Sequence, residues 1–163
     1  MNRPMPLVSC IIPSYKRNDM IMRAIDSVLA QTYSNIEILV VDDNEKGSDY
    51  SIVLEKIVNR YNDERVKLLK QSRHINGAAA RNFGIRLSNG EYIAFLDDDD
   101  EWLPTKLEKQ INFLANNQEY NAVSTLSSVY AGGKLIYSQK EYNVDNLQLK
   151  VFLREVDITT PTF

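Results

Sequence analysis

Apolar and polar positions alternate along the chain in blocks that read as strand, helix, strand, helix. Residues 7–12 (LVSCII) form an almost unbroken apolar run closed by Pro13, the pattern of a strand buried on both faces of a parallel sheet. From Asp19 onward Ile21, Ile25, Val28 and Leu29 recur at i, i+4, i+7 and i+8, which predicts a helix with one apolar stripe ending near Gln31 and Thr32. A second apolar run over residues 36–41 ends in Asp42, Asp43 and Asn44, and residues 52–61 follow as a helix facing inward through Val53, Ile57 and Tyr61. Residues 66–69 make a short third strand. Asn76 and Gly77 open an alanine-rich helix, for which Ser88, Asn89 and Gly90 supply a glycine stop. Residues 92–96 are the fourth strand. Pro104 suits the first position of another helix with the face Leu107, Ile111 and Leu114. Residues 122–130 and 135–137 around Gly132 and Gly133 predict a hairpin, and residues 145–153 a last helix.

The order βαβαβαβα followed by ββ predicts an α/β sandwich with a mostly parallel central sheet, whose functional loops lie at the carboxyl ends of the strands. With 163 residues, 44% of them hydrophobic, the chain suits one domain spanning residues 1–163. The net charge of −3 offers no general attraction to nucleic acid or to an anionic membrane, so phosphate recognition has to be local. Cys10 is the lone cysteine, which removes disulfide frameworks and favours a cytoplasmic setting. The apolar run of residues 7–12 is too short for a signal segment or a membrane span, so membrane attachment is expected to be peripheral at most.

Chemistry concentrates at the strand ends. Asp97, Asp98, Asp99, Asp100 and Glu101 place several negative charges within a few ångströms, and each like-charge pair at about 4 Å costs about 1 kcal/mol even in water. A cation is the expected compensation. Mg²⁺ or Mn²⁺ prefers carboxylate oxygen and takes one or two carboxylates together with phosphate oxygens and water. If the strand continued through them, Asp97 and Asp99 would share a face. A solvated acidic turn is the competing explanation. Asp42 and Asp43 could accept hydrogen bonds from a base or ribose, or simply serve the turn. After the first strand, Pro13 and Tyr15 offer a stacking surface, and Lys16 and Arg17 offer cations for phosphate. Gly77 lies at a helix N-terminus suited to an anion, with Arg81 one turn on, while the neighbouring alanines suit packing. His74, the lone histidine, has no partner at metal-ligand spacing and reads as a loop residue without a catalytic role.

Four segments together resemble glycosyltransferase family 2: residues 8–17 (VSCIIPSYKR), 41–43 (VDD), 80–84 (ARNFG) and 90–102 (GEYIAFLDDDDEW). The resemblance extends over nearly the whole chain. It implies a GT-A fold, a Rossmann-like α/β/α sandwich, with a nucleoside-diphosphate sugar donor, usually UDP-linked, and inversion at the anomeric carbon. By the same likeness Pro13 and Tyr15 line the nucleobase pocket, Asp43 or else Asp42 meets the uracil, and residues 97–99 form the DXD metal motif with Asp99 as ligand beside Asp97. Mn²⁺ or Mg²⁺ is the implied cofactor, a saccharide or lipid-linked molecule the implied acceptor, and polysaccharide assembly the implied setting. The family's general base and acceptor side are expected beyond Phe163, so residues 1–163 are read as a truncated donor-binding portion with little transfer of its own.

Other readings compete with this one. Residues 38–44 also look like the opening of a Mg²⁺-binding response-regulator receiver, but a full strand and helix precede them and no later strand-end Thr/Ser and Lys pair follows. A nucleotidyltransferase would need a Gly- and Lys/Arg-rich phosphate loop after the first strand, which is missing. A donor-binding remnant without transferase activity is the third.

Overall fold

A computed structural model describes residues 5–139. Its elements, in chain order, are β1 (Val8–Ser14), α1 (Ile21–Leu29), β2 (Ile36–Asp42), α2 (Asp49–Val58), β3 (Val66–Lys70), α3 (Gly77–Leu87), β4 (Tyr92–Phe95), α4 (Lys106–Asn116), β5 (Ser128–Ala131) and β6 (Lys134–Ser138). The first four strands form one parallel sheet in the order β3-β2-β1-β4, and β5 and β6 pair as a separate antiparallel hairpin. The helix predicted over residues 145–153 lies outside the described residues.

Alternation along the central strands divides the core into two layers. Val8, Cys10 and Ile12 of β1, with Ile38 and Val40 of β2, pack with α1, α2 and α4. Ile11, Leu39 and Val41 face the other way onto Ala80 and Phe83 of α3. That second layer is thin: a Cβ on Gly84 would come within 2.6 Å of Ile11, so glycine lets α3 lie close against the sheet. The result is the α/β/α sandwich predicted from the chain, with the ends of β1, β2 and β4 side by side.

Several local expectations are corrected. Pro13 does not close β1 but lies within it, opposite Val41. Ile11 O accepts from Leu96 N on the β4 side and Ser14 O from Asp43 N on the β2 side. Pro13, two residues from Ile11, therefore faces the β4 side beyond that strand's end, where its missing N–H costs no ladder bond. α2 turns Ser51, Leu54, Ile57 and Val58 inward, leaving Val53 exposed and Tyr61 outside the helix. Two bonds set this rotation: the Ser48 side chain caps Ser51 N, and Ser51 Oγ donates to Asp42 Oδ2 at 2.6 Å. α3 ends on Ser88 in extended backbone rather than on a left-handed glycine. Gly90 answers a steric demand instead, since a Cβ there would meet Ser9 Oγ and backbone N at 2.5 and 2.6 Å. Pro104 precedes α4, whose N-cap is Thr105.

A buried polar cluster at the amino ends of the strands anchors the α3–β4 turn. Glu37, 4% exposed, accepts from Ser9 Oγ at 2.7 Å, Asn89 N at 2.7 Å and Lys67 Nζ at 2.9 Å. Burial pushes its carboxyl up, but the bonds from Ser9, Asn89 and Lys67 outweigh burial and hold it at about 2. A carboxyl depressed on folding stabilises above its ordinary value of 4.5, and that contribution is lost as pH falls toward 2. Glu37→Gln is expected to cost about 1–3 kcal/mol at neutral pH by urea unfolding, with the gap to wild type closing between pH 4.5 and 2. A gap that stayed constant over that range would contradict the assignment.

Candidate functional site

A cleft of about 310 Å³ opens at the carboxyl ends of the parallel strands. Pro13, Ser14, Tyr15 and Arg17 reach it from the end of β1, Asp43 from β2, and Asp97 and Asp98 from β4. His74, Gly77 and Arg81 complete the lining from the segment before α3 and from its first turns. A broader surface depression is lined by residues 61–64 alone; it draws on one stretch of chain and brings no elements together.

The two aspartates after β2 have separate jobs. Asp42 is buried beneath the cleft rather than lining it: Oδ1 accepts from Asn44 N and Nδ2 at 3.0 and 2.8 Å, and Oδ2 from Ser51 Oγ. Asn44, held this way, accepts the Lys16 backbone N–H at 2.9 Å. Lys16 adopts a left-handed φ of 57°, a costly conformation for a residue with a Cβ. That turn sends Arg17 back over the acidic run. Asp43 does line the cleft, with Oδ1 accepting from Gln71 Nε2 at 3.0 Å and Ile75 N at 3.1 Å. His74 Nδ1 lies 2.9 Å from its Oδ2; since a carboxylate can only accept, Nδ1 carries the proton. The His74 ring stacks on Tyr15 with centroids 3.9 Å apart and planes 17° apart, forming a two-ring aromatic platform beside Asp43.

The acidic run is a turn, not a continuation of β4, so Asp97 and Asp99 do not share a strand face as expected. β4 ends at Phe95, and Asp100 N donates to Asp97 O at 3.1 Å. Its charges are met by arginines from two other elements. Arg17 pairs with Asp99 and lies 3.6 Å from Asp98, and Arg81 pairs with Asp97. Arg23 reaches Glu101 at the exposed rim. Asp98 is 5% exposed, and burial pushes its carboxyl above the ordinary range, with Asp99 adding to the shift and nearby Ser14 and Arg17 opposing it. Burial, then Asp99 and Asp97, push Asp100 up as well. Asp98 Oδ2, Ser14 Oγ and Arg81 Nε are all buried without a completed hydrogen bond, which marks a site prepared for a polar ligand.

Of the candidates from sequence, Pro13, Tyr15, Arg17, Asp43, Gly77, Arg81, Asp97 and Asp98 are brought together, Asp99 sits above them on Arg17, and Asp42 lies below. Gly77 contributes space: Arg81 Nη1 lies 3.1 Å from where its Cβ would be. His74, Gln71 and Ser14 were not singled out as site residues. Ser14 had a signal in its strand-end position, whereas His74 meets Asp43 at a separation of 31 residues, a contact that no local pattern announces. Among the described residues no three His, Cys, Asp or Glu side chains form a ready metal cage. The hard oxygens of Asp97 and Asp99 nonetheless suit a divalent ion that draws the rest of its shell from phosphate and water.

The family described as Glycosyl transferase family 2 matches residues 9–162. Two E. coli proteins named UDP-Glc:alpha-D-GlcNAc-diphosphoundecaprenol beta-1,3-glucosyltransferase are similar in sequence. WfaP is 38% identical over 120 residues, covering 74% of this chain and 46% of its own. WfgD is 39% identical over 140 residues, covering 82% and 52%. The chain thus spans about half the length of these relatives. Among solved structures, the Pyrobaculum calidifontis mannosyltransferase PcManGT, in complex with GDP-Man and Mn²⁺, superposes with a TM-score of 0.61 at 24% identity over 70% of this chain and 34% of that one. That likeness shows the shared GT-A fold.

Because Asp42 holds Ser51 and Asn44, Asp42→Ala is expected to lower the unfolding free energy by about 2–3 kcal/mol in urea titrations. An unchanged midpoint would show that the loop does not depend on it.

Proposed function

Since the chain belongs to glycosyl transferase family 2, we propose that residues 1–163 form the nucleotide-sugar-binding domain of an inverting, metal-dependent glycosyltransferase acting on a UDP-sugar and a saccharide or lipid-linked acceptor. The observation that carries this reading is the convergence, in one cleft, of an aromatic platform with a buried carboxylate at one side and an acidic run threaded with arginines at the other. A nucleoside diphosphate has the same two parts. The relatives' names support the donor and acceptor classes, because WfaP and WfgD carry UDP-Glc as donor and a diphosphoundecaprenol-linked GlcNAc as acceptor in theirs. Among the described residues no helix is long and apolar enough to cross a membrane. The lone, buried Cys10 supports placing the protein on the cytoplasmic side. The family match removes the support for a receiver module.

In this reading the base stacks on an outer face of the Tyr15–His74 pair, and Asp43 accepts from its N–H. Gln71, Ile75 N and His74 hold that carboxylate in place before the ligand arrives, so little reorganisation is needed on binding. Asp97 and Asp98 take the ribose and sugar side. Arg17, Arg81 and the positive amino end of α3 face the diphosphate. Asp99, with Asp97, would hold the divalent ion, which when bound stabilises negative charge growing on the diphosphate as the sugar departs. No described residue is assigned as the base that deprotonates the acceptor.

Titration calorimetry with UDP and Mn²⁺ checks the donor site. Wild type is expected to bind, Asp99→Asn to lose at least tenfold in affinity, and Tyr15→Ala to lose about tenfold. Absence of UDP binding to wild type at saturating Mn²⁺ would refute the reading.

A further inference from the structure

Each aspartate assigned above to the metal is already paired with an arginine. Asp99 Oδ2 is held by Arg17 and Asp97 Oδ1 by Arg81, so a divalent ion that takes these two oxygens displaces both guanidiniums. Two guanidiniums and one divalent ion carry the same charge, so that replacement leaves the electrostatic balance of the run unchanged. It also frees two positive charges at the place where the diphosphate would sit.

We propose that Arg17 and Arg81 are resident counter-cations of the acidic run, which give up Asp99 and Asp97 to the divalent ion and turn to the donor's diphosphate, so that metal and donor bind as one coupled event. The proposal rests on the donor-site reading above and assigns these arginines a second partner and a role in the order of assembly.

Three features of the site favour exchange over a static pair. The Arg17 side chain is 53% exposed and that of Asp99 37%, so their pair is solvated, weakly held and free to open. Arg81 is incompletely satisfied where it stands: Nη2 meets Asp97 while the buried Nε has no partner. Gly77 leaves open the space beside its Nη1, so the guanidinium can shift over the start of α3 without striking a side chain. Asp98 remains between the two pairs, its Oδ2 buried and unpartnered inside the cleft.

Each ligand alone then meets an obstacle that the other removes. An ion without a diphosphate has to compete with two tethered cations. A diphosphate without an ion has to strip the arginines from their carboxylates and then lie against bare aspartates. Linkage makes the coupling reciprocal: UDP raises the affinity for Mn²⁺ by the same factor as Mn²⁺ raises that for UDP.

The test measures Mn²⁺ affinity by electron paramagnetic resonance of the free ion, with and without UDP, for wild type, Arg17→Gln and Arg17→Lys. Wild type is expected to bind Mn²⁺ weakly alone and at least tenfold more tightly with UDP. Arg17→Gln is expected to bind Mn²⁺ alone severalfold more tightly than wild type, to bind UDP more weakly, and to show reduced coupling. Arg17→Lys keeps a tethered charge and is expected to stay near wild type. Unchanged or weaker binding of Mn²⁺ alone by Arg17→Gln, or a lysine variant that behaves like the glutamine one, would overturn the exchange and leave the donor site standing. Failure of wild type to bind UDP at saturating Mn²⁺ would instead remove the donor site itself.

Discussion

Five consecutive carboxylates after the half-buried strand β4 repel one another, and much of the geometry around the cleft answers that repulsion. At separations near 4 Å each pair costs about 1 kcal/mol in water and about 4 kcal/mol in the screened environment of a protein surface. The turn after β4 draws the run together instead of extending it. Arg17 and Arg81 come in from two other elements to cover it. Arg23, exposed with its partner Glu101, adds little to stability. Arg17 reaches its place because Lys16 accepts a left-handed backbone, and Lys16 is held there through a chain of bonds from Asn44 to Asp42 to Ser51. The ends of β1 and β2 thus position one of the cations that cover the charge at the end of β4.

The parallel sheet makes this economical. With β1 between β2 and β4, three loops far apart in sequence emerge side by side. The opposite end of the sheet carries the stabilising polar cluster around Glu37, where Lys67, Ser9 and Asn89 leave neither carboxylate oxygen idle. The contrast is informative: hydrogen bonding is complete at the Glu37 end, whereas Asp98, Ser14 and Arg81 at the cleft each keep an unmet polar atom. Unmet polar atoms are tolerated where a ligand is meant to meet them.

The layered fold was legible in the sequence because burial on both faces of β1 and β2 leaves apolar runs broken only by Ser9 and Glu37 before the strands' polar ends, and because the stripes of α1 and α4 repeat at helical spacing. Periodicity places Ile57 and Tyr61 against the core but not the exposure of Val53, because the rotation of α2 is set by two hydroxyl bonds, at Ser48 and Ser51, that leave no trace in hydrophobic periodicity. Pro13 was taken for a terminator, since only the short length of β4 shows that its missing N–H faces no partner. At the cleft, the expected residues adjacent to strand ends do come together, as strand-end position and the family resemblance imply. The family resemblance favours Asp43 over Asp42, but their separate jobs are set by partners met on folding, Asn44 and Ser51 for Asp42 against Gln71, His74 and Ile75 for Asp43. The sequence leaves His74 as a loop residue without a role, because its place in the cleft comes from stacking on Tyr15 and from the Asp43 carboxylate, contacts made by folding rather than by local pattern.

The central claim is that the acidic run binds a divalent ion together with a nucleoside diphosphate. Anomalous diffraction at the manganese edge, from crystals soaked with UDP and Mn²⁺, addresses it most directly. The account predicts one strong peak bridging the diphosphate and the carboxylates of Asp99 and Asp97, with Arg17 and Arg81 moved onto phosphate oxygens. UDP bound with no manganese peak at the run would contradict it.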